Sequence, residues 1–301
     1  MSIGRIYEVN LEKNYRVYRT DFHSLSMLEL YLESNPEVNR LIFPSQKSIE
    51  MPETFAGAKL EQAIEYCHGG YESGFEMFLK LRRELENVSR QAFSYRRSIP
   101  SVVGSRPHVP NFLAGTPKTM FRLERAKEKK FIDVYINLAY SGDTTEDQIR
   151  NRGILALNLI RLLEQNDYAV NLYAFEASYL GSEIFIADIR LKRPGEPINI
   201  GKCYYPLCGK EFIRRLIVRV KESMPFREKW GVGYGKVLSE DMVRKVMKIK
   251  ENTIVIPSPL ELGLRGYNIY DDGREFFSKL NLLNMIVVPE FDSIKKRKKN
   301  G

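Results

Sequence analysis

One stretch in the middle of the chain constrains the fold most, because its segments can be joined in only one way. The segment FIDVYINLAY (131–140) is apolar and β-branched, which predicts a buried central strand. Apolar residues then recur at helical spacing, which predicts a long helix that starts near Thr144. A crossover helix of that size normally returns to a parallel strand, here YAVNLYAFEA (168–177). The next strand, EIFIADIRL (183–191), follows so soon after Gly181 that the two strands must form an antiparallel hairpin.

The remainder of the C-terminal half continues this alternation. A helix is predicted from about Leu207 to Ser223 and a shorter one from Ser239 to Lys248, followed by the strand-like run NTIVIPSP. A further helix, DDGREFFSKLNLL, and a further strand, NMIVVPEF, close the pattern. The alternation predicts an α/β fold of three layers, in which a mostly parallel sheet contains one antiparallel strand.

The N-terminal half has a different character. RIYEVN and YRVYRT predict two short strands, but helical segments follow, so residues 1–97 are expected to form a mainly helical region. Prolines and glycines crowd the next segment, which predicts an extended arm without secondary structure at 98–120. We place the α/β domain at 121–294 and a basic tail at 295–301.

The composition is that of an ordinary globular protein. The chain has 301 residues, of which 43% are hydrophobic and 28% are charged. No apolar run is long enough for a membrane span or a secretory signal, so we expect a cytoplasmic protein without membrane partners. The cysteines Cys67, Cys203 and Cys208 lack the two close pairs of a structural zinc site and are expected to be buried thiols in a reducing compartment.

The charge balance favours polyanionic partners. The formal net charge is +9 and the isoelectric point is about 9.3. The segment RQAFSYRRS interleaves cations with aromatic rings, the combination that holds phosphates and stacks bases. A helix there could equally turn Phe93 to the core and its arginines to water. The candidate nucleic-acid-binding residues are Arg90, Phe93, Tyr95, Arg96, Arg97, Arg122, Arg125, Lys129 and Lys130.

Two resemblances follow from these segments. The order of strands and helices, with its hairpin in a parallel sheet, resembles a von Willebrand factor A-type (vWA-like) domain. The motifs FAGAKLEQAIEYCHGGYESG, PHVPNFLAGTPKTM and IRNRGILALNLIRLLEQNDYAVNLYA resemble an uncharacterised family of bacteriophage-encoded proteins over roughly residues 55–176. If the phage resemblance holds, the protein belongs to the cytoplasm of an infected bacterial host.

The vWA-like resemblance implies a place where a divalent ion could bind. Such domains hold the ion with an Asp-x-Ser-x-Ser motif after the first strand, where this chain reads NLAYSGD. Asn137 stands in place of the aspartate and Ser141 in place of the second serine, while Asp143 could restore the missing charge. Mg²⁺ is rarely held without a carboxylate. The alternative is that Asp143 and Thr144, with Asp147, only cap the following helix.

No intact catalytic motif stands out elsewhere. GVGYGK lacks the spacing and the hydroxyl of a phosphate loop, so it predicts a tight turn or a lid. We therefore expect a non-enzymatic interaction module that needs no cofactor and presents the arm, with His108, Pro110 and Phe112, to a protein partner in phage assembly or beside an ATPase. The alternatives are nucleic-acid binding and a divalent-metal-dependent enzyme acting at Asn137, Ser141 and Asp143.

Overall fold

The computed structural model describes residues 4–69, 71, 76, 79, 98–104, 106–123, 130–230 and 233–280. The strands are β1 (Arg5–Asn10), β2 (Asn14–Phe22), β3 (Ser98–Ser101), β4 (Arg106–Pro107), β5 (Met120–Leu123), β6 (Lys130–Asn137), β7 (Tyr168–Leu180), β8 (Glu183–Lys192), β9 (Lys236–Val237) and β10 (Ile254–Ile256). The predicted strand NMIVVPEF and the basic tail lie outside the described residues.

The helices in these ranges are α1 (Leu25–Glu33), α2 (Lys47–Glu50), α3 (Glu53–Ala56), α4 (Leu60–Gly69), α5 (Val109–Leu113), α6 (Glu146–Gln165), α7 (Ile200–Cys208), α8 (Val218–Glu222), α9 (Glu240–Met247) and α10 (Ile269–Lys279). A π-helical turn at Phe212–Ile217 leads directly into α8. No described helix is both long and apolar enough to cross a membrane.

The principal sheet has seven strands in the order β1-β2-β8-β7-β6-β10, with β9 paired to β7. Strands β6, β7 and β10 are parallel, and β7 and β8 form the predicted antiparallel hairpin. The prediction of an α/β fold around a mixed sheet is therefore confirmed. Two further antiparallel pairs, β1 with β2 and β7 with β9, were not predicted.

Helices cover both faces of this sheet. On one face α6 and α7 pack against residues such as Val134, Val170 and Phe185. On the other face α9 packs through Val243 and Val246 on Val17, Phe175 and Ile186. The alternation of these residues along each strand places the apolar core in two layers, above and below the sheet.

The N-terminal strands are part of the same sheet. Strand β2 lies parallel to β8, with Asp21 opposite Asp188, so the boundary expected at residue 97 does not separate the sheet from the N-terminal region. An ion pair crosses this junction, because Arg19 contacts the nearly buried Asp188 at 2.8 Å. Pairing between distant strands is not visible in local sequence patterns, which explains why residues 5–22 were assigned elsewhere.

A buried arginine fastens the N-terminal helices to the sheet's helical layer. The guanidinium of Arg215 is 1% exposed and donates to four backbone carbonyls, those of Ala58, Ser48, Ile49 and Met51. Fixed planar donors of this kind can satisfy several carbonyls at once. Residues 48–58 are thus held against the π-helical turn by hydrogen bonds rather than by apolar contact alone.

Gly153, which follows Arg152 in α6, explains how closely two helices approach each other. A Cβ atom on Gly153 in α6 would lie 2.3 Å from the Sγ of Cys208 and 2.6 Å from the carbonyl oxygen of Leu207 in α7. No side chain fits at those distances, so α6 and α7 can pack this closely only with glycine at residue 153.

The prediction that residues 98–120 form an arm without secondary structure is wrong. Strands β3, β5 and β4 form a separate antiparallel sheet, and α5 lies between β4 and β5. Pro100 lies in the edge strand β3 and Pro107 in the edge strand β4, where a missing backbone N–H is tolerated. The central strand β5 has no proline. We call residues 98–123 the small-sheet module, and the seven-stranded sheet with its helices the α/β body.

Candidate functional site

The topology of the α/β body identifies one edge where ligands are expected. Strand β6 lies between β7 and β10, and both neighbours run parallel to it, so the carboxyl ends of the three strands lie at the same edge of the sheet. In open α/β sheets ligands bind outside the carboxyl ends of the strands. The loops that meet there follow Asn137 and Ile256, and the first is the NLAYSGD turn.

The polar side chains of this turn are largely used by the turn itself. Asn137 is buried, and its Oδ1 accepts from the backbone N–H of Ala139 at 3.0 Å. The N–H of Thr144 donates to the carbonyl of Ser141 at 3.1 Å, and their two hydroxyls lie 3.3 Å apart. Ser141 and Asp143 are exposed. The structure therefore places the three predicted metal residues in one loop, but with Asn137 turned to a local backbone contact.

The helix cap lies one residue later than expected. Thr145, not Thr144, is the N-cap of α6, and its hydroxyl accepts from the N–H of Gln148. The side chain of Gln148 accepts in return from the N–H of Thr145 at 2.8 Å, which completes a capping box. Asp147 lies in the first turn of α6, where a carboxylate offsets the helix dipole.

Three cations surround the turn. Arg152 is 1% exposed and donates through Nη1 to the carbonyl of Asn137, while burial lowers its pKa to about 10. Arg214 donates to the carbonyl of Gly142 at 3.4 Å and lies over the ring of Tyr140. Lys210 pairs with Glu146 at 2.9 Å. Two buried guanidinium groups therefore lie beside the turn, while the third cation, Lys210, is paired with a carboxylate.

The neighbouring loop after β10 is closed on itself. The hydroxyl of Ser258 donates to Oε2 of Glu261 at 3.1 Å, and the other carboxylate oxygen of Glu261 accepts from the N–H of Glu240 at 3.3 Å. This glutamate therefore serves its own loop and the start of α9. Its carboxylate is therefore not free to act as a ligand at the turn after β6.

These residues do not fit a divalent cation. The single amide oxygen in the aspartate position is already bonded, the one nearby free carboxylate is the exposed Asp143, and two buried guanidinium groups stand beside the turn. Hard cations require several oxygen ligands, usually with at least one carboxylate. Among the described residues, no group of three or more His, Cys, Asp or Glu side chains could hold a metal ion.

The small-sheet module offers a different kind of surface. His108 is a structural residue, because its Nδ1 accepts from the N–H of Asn111 at 3.0 Å and so caps α5. Pro110 lies in the first turn of α5, and Phe112 is 68% exposed. Four more apolar side chains of the module are also over half exposed: Val102, Val103, Val109 and Leu113.

Most of the predicted nucleic-acid-binding residues cannot be placed. Arg122 lies in β5 opposite Ile99, and Lys130 is the exposed first residue of β6. The remaining seven fall outside the described residues: Arg90, Phe93, Tyr95, Arg96, Arg97, Arg125 and Lys129.

The described part of the glycine-rich stretch is a tight turn. Gly235 has a positive φ of 88°, and a Cβ atom there would lie 2.7 Å from the Trp230 ring. The three cysteines are free and buried, as expected, and burial raises the pKa of Cys203 to about 12. A thiol with such a pKa is a poor nucleophile at neutral pH.

Sequence reasoning missed the two arginines beside the turn after β6. Arg152 and Arg214 occupy helical segments in which charged residues ordinarily face water. No local pattern in the sequence distinguishes them from surface arginines.

Comparison with known proteins identifies a family without identifying an activity. The family model described as "Domain of unknown function (DUF7192)" matches residues 6–284. No curated protein and no solved structure matches the chain. Because the family model covers nearly the whole α/β body and the small-sheet module together, the chain belongs to the DUF7192 family.

Proposed function

We propose that this protein is a non-enzymatic interaction module in which the α/β body is a scaffold and the small-sheet module binds a protein partner. One observation carries the proposal: five apolar side chains within twelve residues of the small-sheet module are each more than half exposed. They are Val102 at 64%, Val103 at 73%, Val109 at 56%, Phe112 at 68% and Leu113 at 79%. Contiguous exposed apolar side chains mark protein interaction sites.

The rest of the molecule supports a scaffold role. The β6–α6–β7–β8 succession with its hairpin is the feature on which we propose a vWA-like arrangement with a degraded metal site. Such domains act largely through the loops at their strand ends and through appended segments. The resemblance to phage-encoded proteins is the reason to look for the partner in infected bacterial cells, among assembly proteins or ATPases.

The test is capture of partners by the tagged full-length protein from phage-infected lysate, in a nuclease-treated half and an untreated half. We expect discrete proteins to survive nuclease with the wild type and to be lost with the double variant Phe112→Ser, Leu113→Ser. The matched control is Leu41→Ser, Tyr267→Ser, because these side chains of the α/β body are 95% and 93% exposed. Equal recovery by the two double variants would contradict the proposal.

Nucleic-acid binding is a second candidate, favoured by where the charge lies. Residues 88–130 hold ten of the 47 lysines and arginines but only two of the 38 aspartates and glutamates, a net charge of +8 out of +9. The small-sheet module itself contains no acidic residue. Clustered cations of this kind bind phosphates by releasing counterions.

Fluorescence anisotropy with a labelled single-stranded DNA or RNA oligonucleotide tests this candidate. Binding should weaken steeply as salt rises, and Arg106→Glu with Lys118→Glu should abolish it, since both side chains are exposed in the small-sheet module. Deleting residues 295–301 measures the contribution of the tail. Affinity that is flat with salt would eliminate this function.

A further inference from the structure

Arg152 is a buried cation without a counter-ion. Its side chain is 1% exposed, and it forms no ion pair within the ranges that the structure describes. Of its five N–H donors, one on Nη1 has an acceptor among the described residues, the carbonyl of Asn137, and the buried Nε has none there. A buried polar group without partners costs free energy, so a native protein normally supplies a partner.

Arg215 shows what a self-sufficient buried arginine looks like in the same molecule. It is equally buried but donates to four carbonyls, so its donors are largely satisfied by the protein. The two arginines therefore differ in partners and not in burial. Arg152 therefore has hydrogen-bond donors for which the described part of the chain provides no acceptor.

The position of Arg152 indicates which kind of group could accept hydrogen bonds from these donors. Helical side chains lean toward the helix N-terminus, and the hydrogen bond to Asn137 brings the guanidinium to the carboxyl end of β6. The N-terminus of the twenty-residue helix α6 follows the same turn, with Glu146 and Asp147 in its first turn. Arg214 adds another cation over the same turn through Gly142.

The local carboxylates do not neutralise Arg152. Glu146 pairs with Lys210 and Asp147 pairs with Arg150, so each is matched by another cation. Asp143 is exposed on the outer side of the turn. Among the residues that the structure describes, no carboxylate forms an ion pair with Arg152.

We propose that the edge formed by the carboxyl ends of β6 and β10 binds an oxyanion, a phosphate or carboxylate group, with Arg152 as its buried counter-ion and Arg214 as a second cation. The group belongs to a small molecule or to a side chain of a partner. This site is distinct from the exposed surface of the small-sheet module. It is also the opposite of the cation site that the vWA-like resemblance implies.

Thermal unfolding of the full-length protein tests the proposal, with inorganic phosphate, acetate and chloride compared at one ionic strength. An anion bound only by the folded state raises the melting temperature with its concentration. We expect phosphate or acetate, and not chloride, to produce a saturable rise. If phosphate acts at a lower concentration than acetate, the natural ligand carries a phosphate group. If acetate acts at the lower concentration, the natural ligand carries a carboxylate group.

Variants assign the effect to the arginine. Arg152→Gln should weaken the apparent affinity at least about tenfold, because a charge-assisted hydrogen bond is lost. Arg193→Gln removes the same charge from an exposed position and should leave the rise unchanged. Should Arg152→Gln not fold, Arg214→Gln serves with the same expectation, a weakened rise.

Two results would overturn the proposal. One is a melting temperature that phosphate and acetate leave unchanged relative to chloride. The other is an anion-dependent rise that persists undiminished in Arg152→Gln and Arg214→Gln, which would place the anion elsewhere. Loss of partner capture by small-sheet variants has no bearing on either outcome, so the two proposals fail independently.

Discussion

The α/β body has a large buried apolar core, whereas the small-sheet module has no buried apolar side chain among those whose burial the structure describes. In the body, residues such as Val134, Ile160 and Phe185 are fully buried between sheet and helices. In the module, Phe112 and Leu113 are mostly exposed although the backbone is regular. Regular secondary structure that leaves its apolar side chains in water is poor at stabilising itself and well suited to contact. We therefore expect substitutions in the α/β body to change mainly stability, and substitutions in the small-sheet module to change mainly partner binding.

The largest effect on stability should come from Arg215. Arg215→Met leaves four carbonyls without this donor, two of them buried and two partly buried. The free energy of unfolding should therefore fall by about 4 kcal/mol, at about 1 to 1.5 kcal/mol for each buried group and about 0.5 to 1 kcal/mol for each partly buried one. Urea unfolding measures it. Arg193→Met, at an exposed position, is the control and should be nearly neutral. An equal, small loss in both would show that the carbonyl contacts contribute little.

Gly153 tests the packing of the body. Gly153→Ala forces a Cβ atom against Cys208 and the backbone of Leu207, so α6 and α7 must separate, at a cost of about 3 kcal/mol. Gly142→Ala is the matched control, because nothing lies within 4 Å of its added Cβ. Thermal unfolding of the two variants should rank them clearly. Comparable melting temperatures would mean that the helices adjust without loss.

The pH dependence of stability should reveal Asp188. Burial raises the pKa of Asp188 to about 6, although its pairing with Arg19 acts in the other direction. Since the folded state then holds a proton that the unfolded state has lost, stability falls as pH rises from about 4 to about 6. Relative to Asp188→Asn, the wild type should lose roughly 2 kcal/mol over that window. A constant difference between the two proteins across pH would refute the raised pKa.

The smallest effect on stability is expected in the small-sheet module. Phe112→Ser with Leu113→Ser should change the free energy of unfolding by less than about 0.5 kcal/mol, because exposed side chains lose little on truncation. Circular dichroism melts of this double variant measure it. A large destabilisation would mean that these side chains pack in solution, and the contrast between the two regions would disappear.

The sequence predicted those parts of the fold that depend on local patterns. The β6–α6–β7–β8 succession follows from apolar spacing and from the short link at Gly181, which has a positive φ of 54°. The pairing of β2 with β8 depends on residues far apart in the chain. The small sheet was missed because prolines were taken as barriers to strands, although they are compatible with the edge strands β3 and β4.

The sequence predicted the turn that holds Asn137, Ser141 and Asp143, but it did not predict the arginines beside that turn. The turn after β6 is where strand-end ligands gather, and Asn137, Ser141 and Asp143 do share that loop. What the sequence could not show is the direction of Arg152, because a lone arginine in an amphipathic helix carries no mark of burial. Electrostatics at the site are decided by that one tertiary contact with Asn137.

The pairing of β2 with β8 also governs when this protein can finish folding. The hydroxyl of Tyr18 donates to Glu183 across a separation of 165 residues. At a synthesis rate of about 5 to 20 residues per second, the first hairpin waits roughly 8 to 33 seconds on the ribosome before its partner strand is made. Until then, β2 presents an unpaired edge to every neighbouring nascent chain. Expression yield should therefore respond to translation speed and to chaperones that hold this early strand apart.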